Sequence, residues 1–240
     1  LLKKDYYTLY DFIDGDHFSG ALDELKDVSL KIGLLFKNLS NLNNKIKRIS
    51  GPKYFTKEND LTIKSIIKKR KYWNKIFGKK LGVKLSNNWN DIYKIYNLNK
   101  KHKIPKQIMQ YSHYDLHPHN MIIKNKKLVA FLDCDSLKFM DPGFSLAFAC
   151  LKLSKQSLIK LGKINKKNSK KVVDIFIKKV SSNYPRIKKI SNNFFYYSSS
   201  EVIRRILIIL SLNLKGNKVW NKVLNIQIDH LKEAKILFMN

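Results

Sequence analysis

Three oxygen-bearing side chains stand at a spacing suited to phosphoryl chemistry. Asp115 is followed after five residues by Asn120 and after a further thirteen by Asp133, in the stretch Tyr111-Ser-His-Tyr-Asp-Leu-His-Pro-His-Asn120, Met121-Ile-Ile and Leu128-Val-Ala-Phe-Leu-Asp133-Cys-Asp135. Magnesium takes hard oxygen ligands and keeps part of its water, so an amide oxygen and a carboxylate suit it beside phosphate groups. A second carboxylate, free of metal, can orient a hydroxyl and accept its proton. Together these types fit transfer of a phosphoryl group to an alcohol, a reaction that rests mainly on positioning and electrostatics.

The elements that must hold them are readable around them. Apolar runs on either side of the polar Lys124–Lys127 predict a hairpin preceded by a loop. A turn centred near Lys126 sets Asn120 roughly opposite Asp133, and Pro118 restricts the loop after Asp115. Side chains alternate along a strand, so Ile122 and Leu132 can form an apolar floor beneath a planar base, with ordinary core packing as the competing reading.

His113-x-Asp115-x-x-x-x-Asn120 with the later Asp133 resembles the catalytic core of the aminoglycoside phosphotransferase and choline kinase-like superfamily, and Asp-Leu-His-Pro-x-Asn is close to its usual wording. The resemblance implies Asp115 as catalytic base, Asn120 and Asp133 as magnesium ligands, and ATP as phosphoryl donor. Ile122 and Leu132 are the adenine floor it implies. Asp141-Pro-Gly fits the family's turn into a helix, although Phe144-Ser-Leu-Ala147 follows where an acid often stands; a changed structural hydrogen bond is the expected consequence. Asp135 and His117 are further candidates for contacting substrate or its immediate supports.

The same histidines allow a rival. His113, His117 and His119 beside Asp115 could be a zinc site, but they lack helical metal-ligand spacing and no second ligand cluster follows. His113 is better read as bonding the loop, with His117 and His119 at a pocket rim or in water.

Upstream, Tyr6–Tyr10 reads as a strand and Asp11-Phe-Ile-Asp-Gly15 as a tight connection. These resemble the last strand of the family's small lobe and its hinge, which implies Asp11 and Ile13 as contributors to adenine binding. No Gly-rich loop or phosphate lysine precedes them, so most of the nucleotide-covering lobe is expected to be missing from this chain. Whether such a chain is active is a separate question from its resemblance. The expected fold is α+β: a protein-kinase-like large lobe over 16–240, mainly helical around a small catalytic hairpin, with residues 1–15 as a remnant of the small-lobe sheet and hinge.

Periodic apolar positions predict helices over Ala21–Leu42, with Ser19 as cap, then Leu61–Phe77, Asn88–Asn97, Phe144–Leu161, Val172–Val180, Phe194–Leu214 and Val219–Phe238. Arg204 and Arg205 are expected at the surface, and Lys163–Lys171 as a solvated loop.

Composition bounds the rest. With 44% hydrophobic residues among 240, the chain can bury a substantial core. The formal charge of +30 favours anions, but only five of the 48 basic residues are Arg, the residue that reads bases bidentately. Nucleic-acid binding is therefore the lesser reading. Only five acids lie between Asp60 and Asp174, and Asp115, Asp133, Asp135 and Asp141 are four of them; so clustered, they suggest a negative pocket for metal and for a cationic acceptor. Cys134 and Cys150 have no partner cluster and read as free thiols. No secretory signal or membrane-length apolar run is visible, so the expectation is a cytoplasmic protein that does not engage a membrane. The acceptor is a small-molecule hydroxyl, with an aminoglycoside, choline or another amino alcohol, homoserine and a sugar all open. A catalytically silent kinase-like binding protein and a basic nucleic-acid-binding protein are the alternatives.

Overall fold

The computed structural model describes residues 12–42, 49–105, 107–162 and 164–239. The expected strand at Tyr6–Tyr10 and the candidate Asp11 lie outside them. Helices dominate, and the small β element sits against them, so the expected α+β arrangement with a helical large lobe is what the chain forms.

The β element has two parts. Strand β1 (Asp16–His17) pairs with β3 (Met121–Lys124), which forms an antiparallel hairpin with β4 (Lys127–Phe131). Asn125 and Lys126 both have positive φ, 51° and 62°, the backbone of a two-residue turn whose twist matches its strands. A bulge between Ile122 and Ile123 shifts the register, so Leu132 N–H donates to Asn120 O at 3.0 Å. Asn120 therefore faces Leu132 rather than Asp133, one residue from the expected pairing. Strand β2 (Gln110–His113), wholly buried, pairs with β5 (Leu137–Met140) and delivers the chain into the Asp115 loop.

Seven long or medium helices enclose this element: α1 (Leu22–Ser40), α2 (Lys57–Lys68), α4 (Lys79–Lys101), α5 (Pro142–Lys160), α6 (Lys166–Ser181), α8 (Phe194–Leu214) and α9 (Asn221–Phe238). Two short ones, α3 (Trp73–Phe77) and α7 (Ile187–Ser191), fill turns. Helices α5 and α8 pack on each other at the centre, and both bury residues around most of their circumference. Leu146 through Leu151 are all at most 1% exposed; burying each large apolar side chain stabilises by roughly 1.5–3 kcal/mol.

Local chemistry explains where the helices begin. Asp141 accepts from Gly143 N–H at 2.8 Å and Pro142 opens α5, a pairing of cap and pre-set φ. Thr56 and Asn59 form a reciprocal capping box on α2. Ser19 does not cap α1 directly; Ala21 holds that position, while Ser19 binds Glu24 of the first turn through its backbone N–H and its hydroxyl, each at 2.8 Å.

Three expectations need correction. The helix read over Leu61–Phe77 is broken, because Trp73 turns back to donate its indole N–H to Ile66 O at 2.9 Å. The helix read over Asn88–Asn97 begins at Lys79, where polar residues of an amphipathic helix hid its first turns. Within the Lys163–Lys171 stretch α6 starts at Lys166, capped by Asn165, so most of those lysines lie on a helix rather than a solvated loop.

Candidate active site

The Asp115 loop is pinned at several points by side-chain bonds to backbone. His113, 1% exposed, places its Nε2 2.7 Å from Leu132 O, which ties β2 to the end of the hairpin. That is the loop-bonding role read from its position. Asn120 Nδ2 donates to Asp115 O at 2.9 Å, and Tyr114 N–H donates to Ser136 O at 3.0 Å. Ser145 Oγ donates to His113 O, so a hydroxyl in the Phe144–Ala147 segment supplies a structural bond to the start of the loop.

Asp133 is half of a second pin. It sits at φ +60°, ψ 53°, a left-handed conformation that a short polar side chain tolerates better than most. Its Oδ2 accepts from Ser136 Oγ at 2.6 Å, and its carboxylate is exposed. Asn120 Oδ1 and Asp133 Oδ1 carry no hydrogen bond within the described residues, so each offers a hard oxygen that fits a magnesium or calcium ion. Among the described residues no three His, Cys, Asp or Glu side chains are grouped to hold a metal ion.

The other candidates fall as follows. Ile122 is 8% exposed and Leu132 half-buried at the two sides of the hairpin's open end. The exposed Ile13 precedes Gly15, where an added Cβ would come within 2.7 Å of Ile122 Cγ2 and of Ile123 O. Only glycine permits that approach, so the connecting segment lies directly against the predicted base floor. Asp135 is exposed on the short turn after Asp133 and lies outside the cavity described next.

A cavity of about 310 Å³ opens beside the Asp115 carboxylate. His117, Pro118 and His119 form one rim; α5 contributes Phe148, Lys152 and Lys155; α8 contributes Arg205; α9 contributes Ile226 and His230. His117 and His119 are thus at a pocket edge, the first of the two placements read from sequence. The cavity's charge differs from the negative pocket suggested by the clustered acids: among the described residues Asp115 is the one lining carboxylate, against Lys152, Lys155 and Arg205. The acids that suggested a negative pocket are elsewhere, Asp133 and Asp135 exposed beyond the hairpin and Asp141 capping α5.

The second correction concerns Arg204 and Arg205, which are turned inward. Glu201, 2% exposed, accepts from Arg204 Nε at 2.9 Å and Nη2 at 2.7 Å, from Arg205 Nε at 2.6 Å and from Tyr54 Oη at 2.8 Å. Arg205 Nη2 then donates to Asp115 Oδ1 at 2.8 Å, with its guanidinium 4.3 Å over the Phe148 ring. Burial acts to raise the pKa of Asp115, but the Arg205 charge and hydrogen bond override it, and the carboxyl titrates below the ordinary range. His117 Nε2 lies 3.7 Å from Asp115 Oδ2; burial holds that imidazole's pKa down against the pull of the carboxylate.

Glu201, Arg204, Arg205, Tyr54 and Lys152 were not singled out from sequence as site residues. One signal was present: two of five arginines stand three and four residues after a glutamate on one predicted helix, the spacing of helical ion pairs. Lys152 likewise interrupts an almost continuous apolar run.

With this geometry in hand, similarity to known proteins can be placed on it. Residues 103–162, a quarter of the chain, match the model of the phosphotransferase enzyme family, and they include Asp115, Asn120, Asp133 and Asp141. No curated protein matches the sequence. The fold is similar to that of spectinomycin phosphotransferase in complex with ADP and spectinomycin, with TM-score 0.58 and 12% identity over 95% of this chain and 69% of that one. It is also similar to amicoumacin kinase in complex with AMP-PNP and Ca2+, with TM-score 0.57 and 12% identity over 93% of this chain and 64% of that one. Plasmodium vivax ethanolamine kinase follows with TM-score 0.53 and 14% identity over 95% of this chain and 66% of that one. The chain thus spans about two thirds of the length of these proteins.

Proposed function

We propose that this chain, which resembles the aminoglycoside phosphotransferase and choline kinase-like enzymes in its catalytic segment and in its fold, is the large lobe of a small-molecule kinase that moves the γ-phosphoryl group of ATP to an alcohol. In this reading residues 1–15 end a small lobe and 16–240 form the acceptor and catalytic lobe. The observation that carries it is Asp115, a carboxylate kept ionised by Arg205 at the edge of a cavity of acceptor size.

In the reaction the acceptor oxygen forms a bond to the γ-phosphorus as the bond to the β–γ bridging oxygen breaks, and that electron pair leaves with ADP. Asp115 orients the acceptor hydroxyl and takes its proton through the oxygen not bonded to Arg205. The hydrogen bond from Asn120 to Asp115 O keeps the loop at a fixed distance from the hairpin. Asn120 and Asp133 would hold a divalent ion, which when bound would offset the charge of the phosphates. Ile122, Leu132 and the backbone at Asp11 and Ile13 would receive the adenine. Asp135 and His117 would support the acceptor or the loop that meets it.

The test is magnesium-dependent phosphorylation of a panel of alcohols by the chain and by Asp115→Ala. General base catalysis contributes roughly 10²–10⁴-fold, so turnover should fall by about that factor in a variant that circular dichroism shows to be folded. Equal turnover by both proteins would remove Asp115 from the chemistry.

A further inference from the structure

The cavity beside the proposed base Asp115 is lined by none of Asn120, Ile122, Leu132 and Asp133, the residues proposed for nucleotide and metal. It is therefore the space the acceptor would occupy, and at about 310 Å³ it stands at the lower limit of ordinary ligand pockets. A small acceptor fits that volume.

The charges around it are unevenly satisfied. Arg205 is shared between Asp115 and Glu201, and Lys155 binds Glu233 at 2.6 Å. Lys152 has no such partner: no carboxylate among the described residues lies within ion-pairing distance of it, and Glu233 and Asp115 act on it only from farther away. Its ammonium donates to His230 Nε2 at 3.1 Å and lies 5.6 Å from the Phe148 ring centroid. His230 is 1% exposed, and burial together with the nearby Lys152 keeps its ring neutral. Arg205 and Lys155 both repel Lys152. A half-buried cation beside two other cations, with a neutral ring and an aromatic face but no carboxylate as partners, destabilises the empty protein. An anion in the cavity would relieve it.

We propose that the acceptor is an anionic alcohol, a hydroxy acid or a phosphorylated alcohol, whose anionic group is bound by Lys152 with support from Lys155 while its hydroxyl meets Asp115. This rests on the phosphotransferase reading for its hydroxyl end and on Lys152 for its anionic end. It reverses the cationic acceptor that the clustered acids of the sequence suggested.

The experiment compares neutral polyols, amino alcohols, hydroxy acids and sugar phosphates as acceptors for the full chain with magnesium and ATP. The best hydroxy acid or sugar phosphate should exceed the best amino alcohol at least tenfold in kcat/KM, and the stronger of those two classes identifies a carboxylate or a phosphate. Lys152→Met should raise KM for that acceptor at least tenfold with a smaller change in kcat, Lys152→Arg should recover most of the loss, and neither variant should unfold at a lower temperature. An amino alcohol as preferred acceptor, or a lower unfolding temperature for Lys152→Met, overturns the anionic site and leaves the phosphotransferase reading standing. If no alcohol of any class is phosphorylated, that reading fails, and inorganic phosphate decides the site by itself. A rise in unfolding temperature with phosphate that Lys152→Met abolishes supports it, and the absence of such a rise refutes it.

Discussion

Replacing Glu201 by Gln tests whether the ion network behind Asp115 is as dry as its geometry requires. The carboxylate is 2% exposed and takes four hydrogen bonds, Tyr54 Oη and Arg204 Nε on Oε2, Arg204 Nη2 and Arg205 Nε on Oε1. Glutamine keeps one of those oxygens and turns an NH2 group toward the donors on the other. Either orientation leaves two donors facing a donor and removes the negative charge between two guanidiniums. Removing one partner of a buried charge pair costs about 3–5 kcal/mol. For a chain of this size each kcal/mol moves the thermal midpoint by roughly 2–4 °C, so the variant should unfold roughly 10 °C earlier. Urea unfolding followed by circular dichroism reads the same loss as a lower midpoint at unchanged slope. The pH dependence has a definite sign. Burial raises the pKa of Glu201, Arg204 and Arg205 lower it further than that, and the net folded value lies below the ordinary one. Its contribution is present above the unfolded pKa and is lost as pH falls through the folded value, so the gap between parent and Glu201→Gln should close in acid. A loss under about 1 kcal/mol at neutral pH would be that of an exposed ion pair, and would refute the assignment of Glu201 as the buried anchor that holds Arg205 on Asp115.

Two further outcomes are specific. Lys152, whose pKa is lowered to about 8 first by burial and then by Arg205 and Lys155, is faced by His230 and Glu233 from α9 and by Asp115 and His117 from the loop. Inhibition by inorganic phosphate should therefore be steady below pH 8 and weaken as pH rises through it, while Lys152→Arg should hold it to higher pH; an unchanged parent profile to pH 10 would contradict the assignment. Gly33 of α1 packs on α6 so closely that an added Cβ would lie 2.5 Å from Val180 O. Gly33→Ala should lower stability in urea unfolding, since overpacking costs about 1–3 kcal/mol against a helix-propensity gain of up to about 1; a stabilised variant would show that these helices separate easily.

The segment that carries the candidate site was legible because its elements are local. Asp115, Asn120 and Asp133 lie within nineteen residues of one another, and a hairpin with a polar turn is the short-range solution for bringing such residues back together. His113 was read correctly as a structural residue, and α8 was read to its bounds, because a buried helix writes its period along its whole length. Register was less legible: the turn at Asn125 and Lys126 alone would set Asn120 against Phe131, and a bulge between Ile122 and Ile123, which apolar patterning does not mark, carries it to Leu132, one residue short of Asp133.

By itself the sequence determined which groups are available for chemistry and which segments must be buried, because residue type and period are properties of the chain alone. Only the tertiary structure decided the charge of the pocket. Arg205 reaches across 90 positions to Asp115, and Lys152 meets His230 across 78, so cations line the cavity beside Asp115. Coulomb energy depends on distance in space and on the surrounding dielectric, and neither is written in the order of residues.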